Sequence, residues 1–352
     1  MLKSVILSVV MRRLLILLLG LLLAGGLLAQ KHKKKSDEEP KPQVLDALPE
    51  TPEAVVAESG RLSFQVSPLS DKGLLSQQVR DALKALARLN HGATIVKLRA
   101  FVAGSGDLRR VKDIVAEEFT ERKQTLPAVS TIQVGALPLT GAQVVIEAIS
   151  SEKKVVNASG LVFFSGVTGA GKLESSVASV GVQAADVLRV TCFLSSLDDV
   201  QAARAEVAKA FPAAATNFLQ MQRLGLEQPA VCEAVARWNG APIADAPHSG
   251  VALINSTKLV LTSTQLVFRD QDSDFRLAYQ RLAKTLLPLG ATFKDVFWTG
   301  TYALTRPDAS KLENMQWEFL DRASPPSHTA LQIEGLPSTD ATAAVELMAV
   351  GR

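Results

Sequence analysis

The chain reads as α+β: three tandem copies of one small sheet-and-helix domain, the helices of each copy on one face of its sheet. Three recurring segments carry that reading. A strand written Ile95-Val96-Lys97-Leu98-Arg99-Ala100-Phe101-Val102 returns as Val187-Leu188-Arg189-Val190-Thr191-Cys192-Phe193-Leu194 and as Val296-Phe297-Trp298-Thr299-Gly300-Thr301-Tyr302-Ala303, an aromatic holding one position each time. Each copy is followed by a Leu/Ile-Gln element (Ile132-Gln133, Leu219-Gln220, Leu331-Gln332) and closed by an apolar strand bearing one acid: Glu147, Glu233 and Glu346. A period of roughly 100 residues is too long for a solenoid unit, so each copy is a domain in its own right.

In the first copy a short strand at Leu62 to Val66 precedes Leu75, Val79, Ala82, Leu86 and Leu89, which recur at helical spacing. On the strand Ile95 to Val102, Val96, Leu98 and Ala100 alternate with Lys97 and Arg99, which predicts one buried face and one wet face. Asp107 is a good N-cap for a second helix carrying Leu108, Val111, Val115 and Phe119 on one side. Strands near Val129 to Leu137 and Val144 to Ile149 finish the unit. The middle copy has only Lys172 to about Val182 for its first helix, which predicts a shortened or partly unwound element. In the third, Ser310-Lys311-Leu312-Glu313 reads as a capping box opening the second helix. The resulting boundaries are 58–152, 153–240 and 241–352, with Asn239-Gly240-Ala241-Pro242 as the turn at the second junction.

Before these units, Lys3, Arg12 and Arg13 precede an apolar run from Leu14 to Leu28, then Ala29. Residues 1–29 therefore read as an export signal, cleaved before Gln30, with an uncleaved membrane anchor as the alternative. No cysteine lies nearby, which excludes a lipid anchor there. Lys31, Lys33, Lys34 and Lys35 follow, and residues 30–57, rich in Pro, Glu, Asp and Lys, read as a flexible tether. Of 352 residues 47% are apolar, and the net charge of +3 owes much to that local basic run, so no nucleic-acid surface is implied. The two cysteines, Cys192 and Cys232, sit in strands of the middle unit and read as buried thiols, a bridge within the unit being the alternative.

Several chemistries are disfavoured. Gly166-Val167-Thr168-Gly169-Ala170-Gly171-Lys172 has the spacing of a phosphate-binding loop, but Leu173 stands where a magnesium-holding Ser or Thr is needed, so it reads as a flexible loop. The four histidines, His32, His91, His248 and His328, are scattered, with no pair at metal-ligand spacing, and no metal or cofactor is expected. A Gly-x-Ser-x-Gly nucleophile turn is absent. Asn157-Ala158-Ser159 and Asn255-Ser256-Thr257 match the glycosylation pattern.

The units resemble the RidA (YjgF) family of imine deaminases. The resemblance rests on Thr125-Leu126-Pro127-Ala128-Val129-Ser130-Thr131-Ile132-Gln133-Val134-Gly135 and Val145-Ile146-Glu147-Ala148-Ile149 in the first unit. It extends to Leu161-Val162-Phe163-Phe164-Ser165-Gly166 in the second, and in the third to Leu259-Val260-Leu261-Thr262-Ser263-Thr264 and Pro326-Ser327-His328-Thr329-Ala330-Leu331-Gln332. It implies a chorismate-mutase-like fold and a trimer with ligand clefts between neighbours. Three copies on one chain imply a monomeric pseudo-trimer, assembled in cis because tethering makes association intramolecular.

The site residues depart from the family. Its arginine, which grips the substrate carboxylate, is replaced by Val129 in the first unit, by Ala214 or Thr216 in the second and by His328 in the third. Its water-positioning glutamate is replaced by Val145, Val231 and Ala344. Ser165, Ser263, His328, Glu147, Glu233 and Glu346 are the candidate ligand-binding residues, and no catalytic residue is assigned. The expectation is an exported protein, periplasmic or secreted, whose degenerate clefts bind a small molecule. An enamine or imine deaminase with one working cleft, or an interaction module, is the alternative.

Overall fold

A computed structural model describes residues 47–104, 106–198, 200–222, 230–240 and 250–352. The export signal, the Lys-rich run and His32 and His248 lie outside those residues. No helix among the described residues is long and apolar enough to cross a membrane.

Each of the three units folds in the order strand, helix, strand, helix, strand, strand, the third with one extra strand before its first helix. After a leading strand β1 (Ala54–Glu58), the first unit comprises β2 (Leu62–Val66), α1 (Leu75–Leu89), β3 (Thr94–Ala103), α2 (Leu108–Glu121), β4 (Ala128–Val134) and β5 (Val144–Ser151). The second comprises β6 (Leu161–Thr168), α3 (Gly169–Ser179), β7 (Val187–Leu194), α4 (Val200–Ala210), β8 (Ala215–Gln220) and β9 (Ala230–Arg237). The third has its own leading strand β10 (Val251–Ile254), then β11 (Lys258–Thr262), β12 (Gln265–Phe268), α5 (Asp272–Leu286), β13 (Val296–Ala303), α6 (Arg306–Met315), β14 (Ser327–Gln332) and β15 (Ala341–Val350). The sheets run β2-β5-β3-β4, β6-β9-β7-β8 and β11-β15-β13-β14, with β12 also on β15. In each, only the pair reached through the second helix is parallel, because a helical crossover brings the chain back in the same direction.

Asp107 caps α2 as expected, accepting from the Arg109 amide at 3.0 Å. The shortened middle helix is also found: α3 has 11 residues, against 15 in α1. Two expectations give way. The capping box at Ser310 is not a helix start, because α6 already begins after Thr305, whose hydroxyl accepts from the Asp308 amide. The Gly166–Lys172 stretch is not a loop: β6 runs through it with a bulge after Phe164, and α3 starts at Gly169, whose φ of 73° makes the strand-to-helix turn. Asn157 is buried and donates to the Ser59 and Leu62 carbonyls, so the glycosylation pattern there marks a structural amide.

The leading strands cross between units. β1 falls in the stretch read as tether, yet its Ala-Val-Val-Ala run pairs antiparallel with β11 of the third unit. β10 pairs with β6 of the second unit. The segment ahead of the second unit reaches the first, the Val156 and Asn157 amides donating to the Gly60 carbonyl at 2.7 and 2.9 Å. First to third, third to second and second to first, the exchange forms a closed cycle.

The outer face of each sheet carries its own helices and its own apolar core. The inner faces do not meet water, which corrects the reading of Lys97 and Arg99 as solvent-facing: they are 3% and 4% exposed. All three sheets turn these faces toward one another. Phe101, Phe193 and Tyr302 meet in one apolar cluster, the first two rings edge to face at 6.0 Å. Phe64, Phe163 and Leu261 belong to a second cluster, with Phe297 and Met348. Strand side chains repeat every second residue, so Phe101, Arg99 and Lys97 lie on one face and the charges form a layer next to the first cluster. Cys192 and Cys232, directly opposite in the β7–β9 register, are joined in a disulfide and are not free thiols. Leu48–Arg352 form a single unit of contacts.

Candidate functional site

Two kinds of polar site arise where the sheets meet: a sealed ionic centre and the clefts around it. In the centre three buried cations, Lys97, Arg99 and Arg189, face the three buried acids Glu147, Glu233 and Glu346. Arg99 binds Glu147 through Nη2 at 2.7 Å and Nε at 3.0 Å, and also engages Glu233. Lys97 Nζ reaches Glu346 at 2.6 Å and the Thr262 carbonyl at 2.5 Å. Arg189 lies 3.3 Å from Glu147 and 3.4 Å from Glu233. Ser130 and Tyr302 donate to Glu346, and Thr191 and Asn217 to Glu147.

Burial alone would raise the Glu147 pKa; the Arg99 and Arg189 guanidiniums and the two hydrogen bonds outweigh it and hold the carboxyl at about 2. Burial likewise opposes ionisation of Glu346, which Lys97 and Arg99 keep below the usual carboxylate range. Burial pulls Lys97 below the ordinary lysine value and Glu346 only partly restores it. The void among these side chains is about 10 Å³, room for at most one water. Glu147, Glu233 and Glu346, expected at a ligand site, thus lie in a compensated interior where no organic ligand fits.

The position matching Arg99 is Thr191 in the second unit and Gly300 in the third, as their pairing with the acids fixes. At this register position only the first unit carries a guanidinium. A Cβ on Gly300 would lie 2.7 Å from the Trp298 ring and 2.9 Å from the Tyr302 hydroxyl.

The clefts are built from one unit's parallel-paired strand and the next unit's first sheet strand. The register places Val129 opposite Leu98, Thr216 opposite Val190 and His328 opposite Thr299, three equivalent positions. Of the two residues open in the second unit, Thr216 is therefore the counterpart. No guanidinium occupies the position in any unit.

The cleft between the second and third units brings Ser165 and His328 together. Ser165 Oγ accepts from the His328 amide at 2.8 Å, and the Gly166 amide donates to Thr329 Oγ1 at 3.2 Å. The His328 ring is held by Thr299 Oγ1 at 2.6 Å and Thr301 Oγ1 at 3.5 Å. Burial pushes its pKa down to about 4, so the imidazole is neutral at neutral pH. The Ser165 amide donates to the Gly250 carbonyl at 2.7 Å, tying down the chain that leads into β10.

The other two clefts are hollow. Between the third and first units, about 380 Å³ is lined by Ser263, Thr264 and Lys112, with Glu50 and Glu53 of the chain's own leading segment along one wall. Between the first and second, about 410 Å³ is lined by Ser67, Leu69 and Val145 on one side and Arg204, Thr216 and Phe218 on the other. Ser263 therefore lines a cavity, whereas Ser165 and His328 face each other.

Sequence reasoning missed Lys97, Arg99 and Arg189 as a buried set, and Arg204 altogether. The signal for the first was cations inside otherwise apolar strands whose partner strand carries a lone acid. Arg204 offered none, since an arginine on a short amphipathic helix is ordinarily a solvated one.

Residues 51–152 match the family model described as Endoribonuclease L-PSP. That match, to the family also called RidA/YjgF, spans the first unit. Solved structures of YjgF-type proteins are similar to parts of the chain. One from Mycobacterium tuberculosis, of the YjgF/YER057c/UK114 family, is 19% identical over 26% of this chain and 78% of its own, with a TM-score of 0.25. One from Neisseria meningitidis is 13% identical over 31% and 91%, with a TM-score of 0.25. An endoribonuclease L-PSP-type protein from Entamoeba histolytica is 20% identical over 31% and 92%, again with a TM-score of 0.25. No curated protein matches the chain. The three sheets, with their common element order, make the whole a mixed α+β chain around the L-PSP unit.

Proposed function

We propose that the chain is an exported, intramolecular pseudo-trimer of RidA-like units that binds small organic molecules in its clefts and has lost the family's deaminase chemistry. The observation that carries this reading is the equivalence of Val129, Thr216 and His328 at the position where the family grips a substrate carboxylate. None offers the paired donors of a guanidinium, and losing such a contact in a desolvated site costs about 2–5 kcal/mol of anion binding. Val145, Val231 and Ala344 leave the water-positioning place apolar as well. The cis-trimer reading is supported by the apolar clusters to which all three sheets contribute and by the cyclic exchange of leading segments. Export is supported by the Arg12-Arg13 and Leu14–Leu28 pattern and by the Cys192–Cys232 bridge, which belongs to an oxidising compartment.

Incubating the full chain with 2-aminoacrylate and following keto-acid release tests the loss of chemistry. Release at the buffer rate is expected, and a catalysed rate would restore the deaminase reading, for which the Ser165–His328 pair is the specific candidate. Light scattering after size exclusion is expected to give one chain mass of 37.6 kDa, or slightly less after cleavage. Three times that mass would sink the cis assembly.

A further inference from the structure

The two hollow clefts are equivalent in construction, and one contains what the other lacks. Lys112 follows Val111 on α2 and precedes the buried Phe119 by seven residues; Arg204 follows Ala203 on α4 and precedes the buried Phe211 by the same seven. Each cation lines the cleft its helix overlooks. In the third–first cleft the chain supplies its own acid. Glu53 is fixed by the bond from the Ser263 amide to its carbonyl, at 2.7 Å, and by Thr285 Oγ1 donating to its carboxylate, also at 2.7 Å. Burial draws the Lys112 pKa down and Glu53 acts against that, so the two charges feel each other.

The first–second cleft has no such acid. The segment that enters the second unit turns away to Gly60 instead of forming a covering strand on β2. Among the described residues no aspartate or glutamate lines the cavity and Arg204 makes no ion pair; its guanidinium lies over the Phe218 ring, 5.6 Å from the centroid. A guanidinium resting on an aromatic face keeps its N–H edge free for a planar acceptor. Leu69, Leu139 and Val145 supply an apolar patch of wall beside the polar Ser67, Thr216 and Asn217, and about 410 Å³ falls within the range of small-molecule pockets.

We infer that, of the two hollow clefts, the first–second one takes an external ligand, a small organic monocarboxylate with a compact apolar body, and that Arg204 holds the carboxylate. The charge has moved from the strand position of Thr216 to the neighbouring helix, and in the third–first cleft Glu53 of the chain's own leading segment stands near the corresponding cation. This inference rests on the small-molecule reading above and narrows it.

Calorimetric titration of the full chain with benzoate, benzamide serving as the uncharged isostere, tests it. One benzoate per chain is expected, with benzamide at least tenfold weaker. Arg204→Gln is expected to weaken benzoate at least tenfold, Arg204→Lys less, and Lys112→Gln not at all, each variant melting with the wild type. Benzoate binding that ignores Arg204→Gln, or that fills two or three sites, overturns this inference and leaves the broader reading standing. No binding of benzoate or of the longer, flexible hexanoate overturns both.

Discussion

The ionic centre and the first–second cleft both present arginine at a junction between units, and they use it in opposite ways. In the centre every cation is answered by an acid of the same chain, and the space left is about 10 Å³. In the cleft Arg204 faces about 410 Å³ with no carboxylate along its walls among the described residues. A buried charge is costly unless paired, so the centre is a geometric constraint: the pairs from Arg99 to Glu147 and Glu233 and from Lys97 to Glu346 form only while the three sheets keep this placement. A half-buried guanidinium beside an open, part-apolar cleft constrains nothing in the fold and is available for recognition.

The sharpest way to break this contrast is to unbalance the centre. Arg99→Met strands Glu147 and Glu233 without their main counter-charge and is expected to cost about 3–5 kcal/mol, read from urea unfolding midpoints. A variant as stable as wild type would mean that the centre is not what pins the sheets. Opening the middle unit comes next. Replacing both Cys192 and Cys232 with alanine, which removes a link across 40 residues, is expected to lower stability by about 2–4 kcal/mol. If midpoints with and without reductant coincide, the bridge is not formed in solution.

Gly300→Ala probes whether the centre is as full as its geometry demands. The added methyl would press on Trp298 and Tyr302, with an expected cost of about 1–3 kcal/mol. Acid gives a graded test of the buried ionisable groups. His328 has its folded pKa depressed to about 4 from an ordinary 6.5, so the unfolded chain takes up a proton first and stability falls as pH drops through that window. Glu147, held at about 2 against an ordinary 4.5, contributes stability above pH 4.5 that is lost as pH falls toward 2. His328→Gln is expected to flatten the first decline and leave the second; identical profiles would place the histidine in water. The smallest effect belongs to the cleft: Arg204→Gln is expected to leave stability within about 0.5 kcal/mol. A larger loss would make Arg204 part of the scaffold and erase the contrast.

Much of this architecture was legible in the sequence. The recurring aromatic at Phe101, Phe193 and Tyr302 located three equivalent strands, and those side chains meet in one cluster. The apolar periods of α1 and α2 and the Asp107 cap were correct because they depend on neighbours a few residues away. The centre was not legible, because Lys97 and Arg99 alternate with apolar residues just as a wet sheet face would; only the other two sheets make that face interior. The path of β1 was hidden for a similar reason. Its partner β11 lies about two hundred residues downstream, and nothing local distinguishes Ala54–Glu58 from an extended tether. Of the candidate site residues, Ser165, Ser263 and His328 do line junctions between units, since their strand-end motifs fix them there. Arg204 was invisible because its meaning depends on what fails to cover it.

The crossing of β1 to β11 has a mechanical consequence. The opening strand of the folded body is laced to its closing third, so traction on the N-terminal side loads that seam before it loads any single unit. Pulled from that side, the folded body is expected to give way at this seam in one event and not unit by unit.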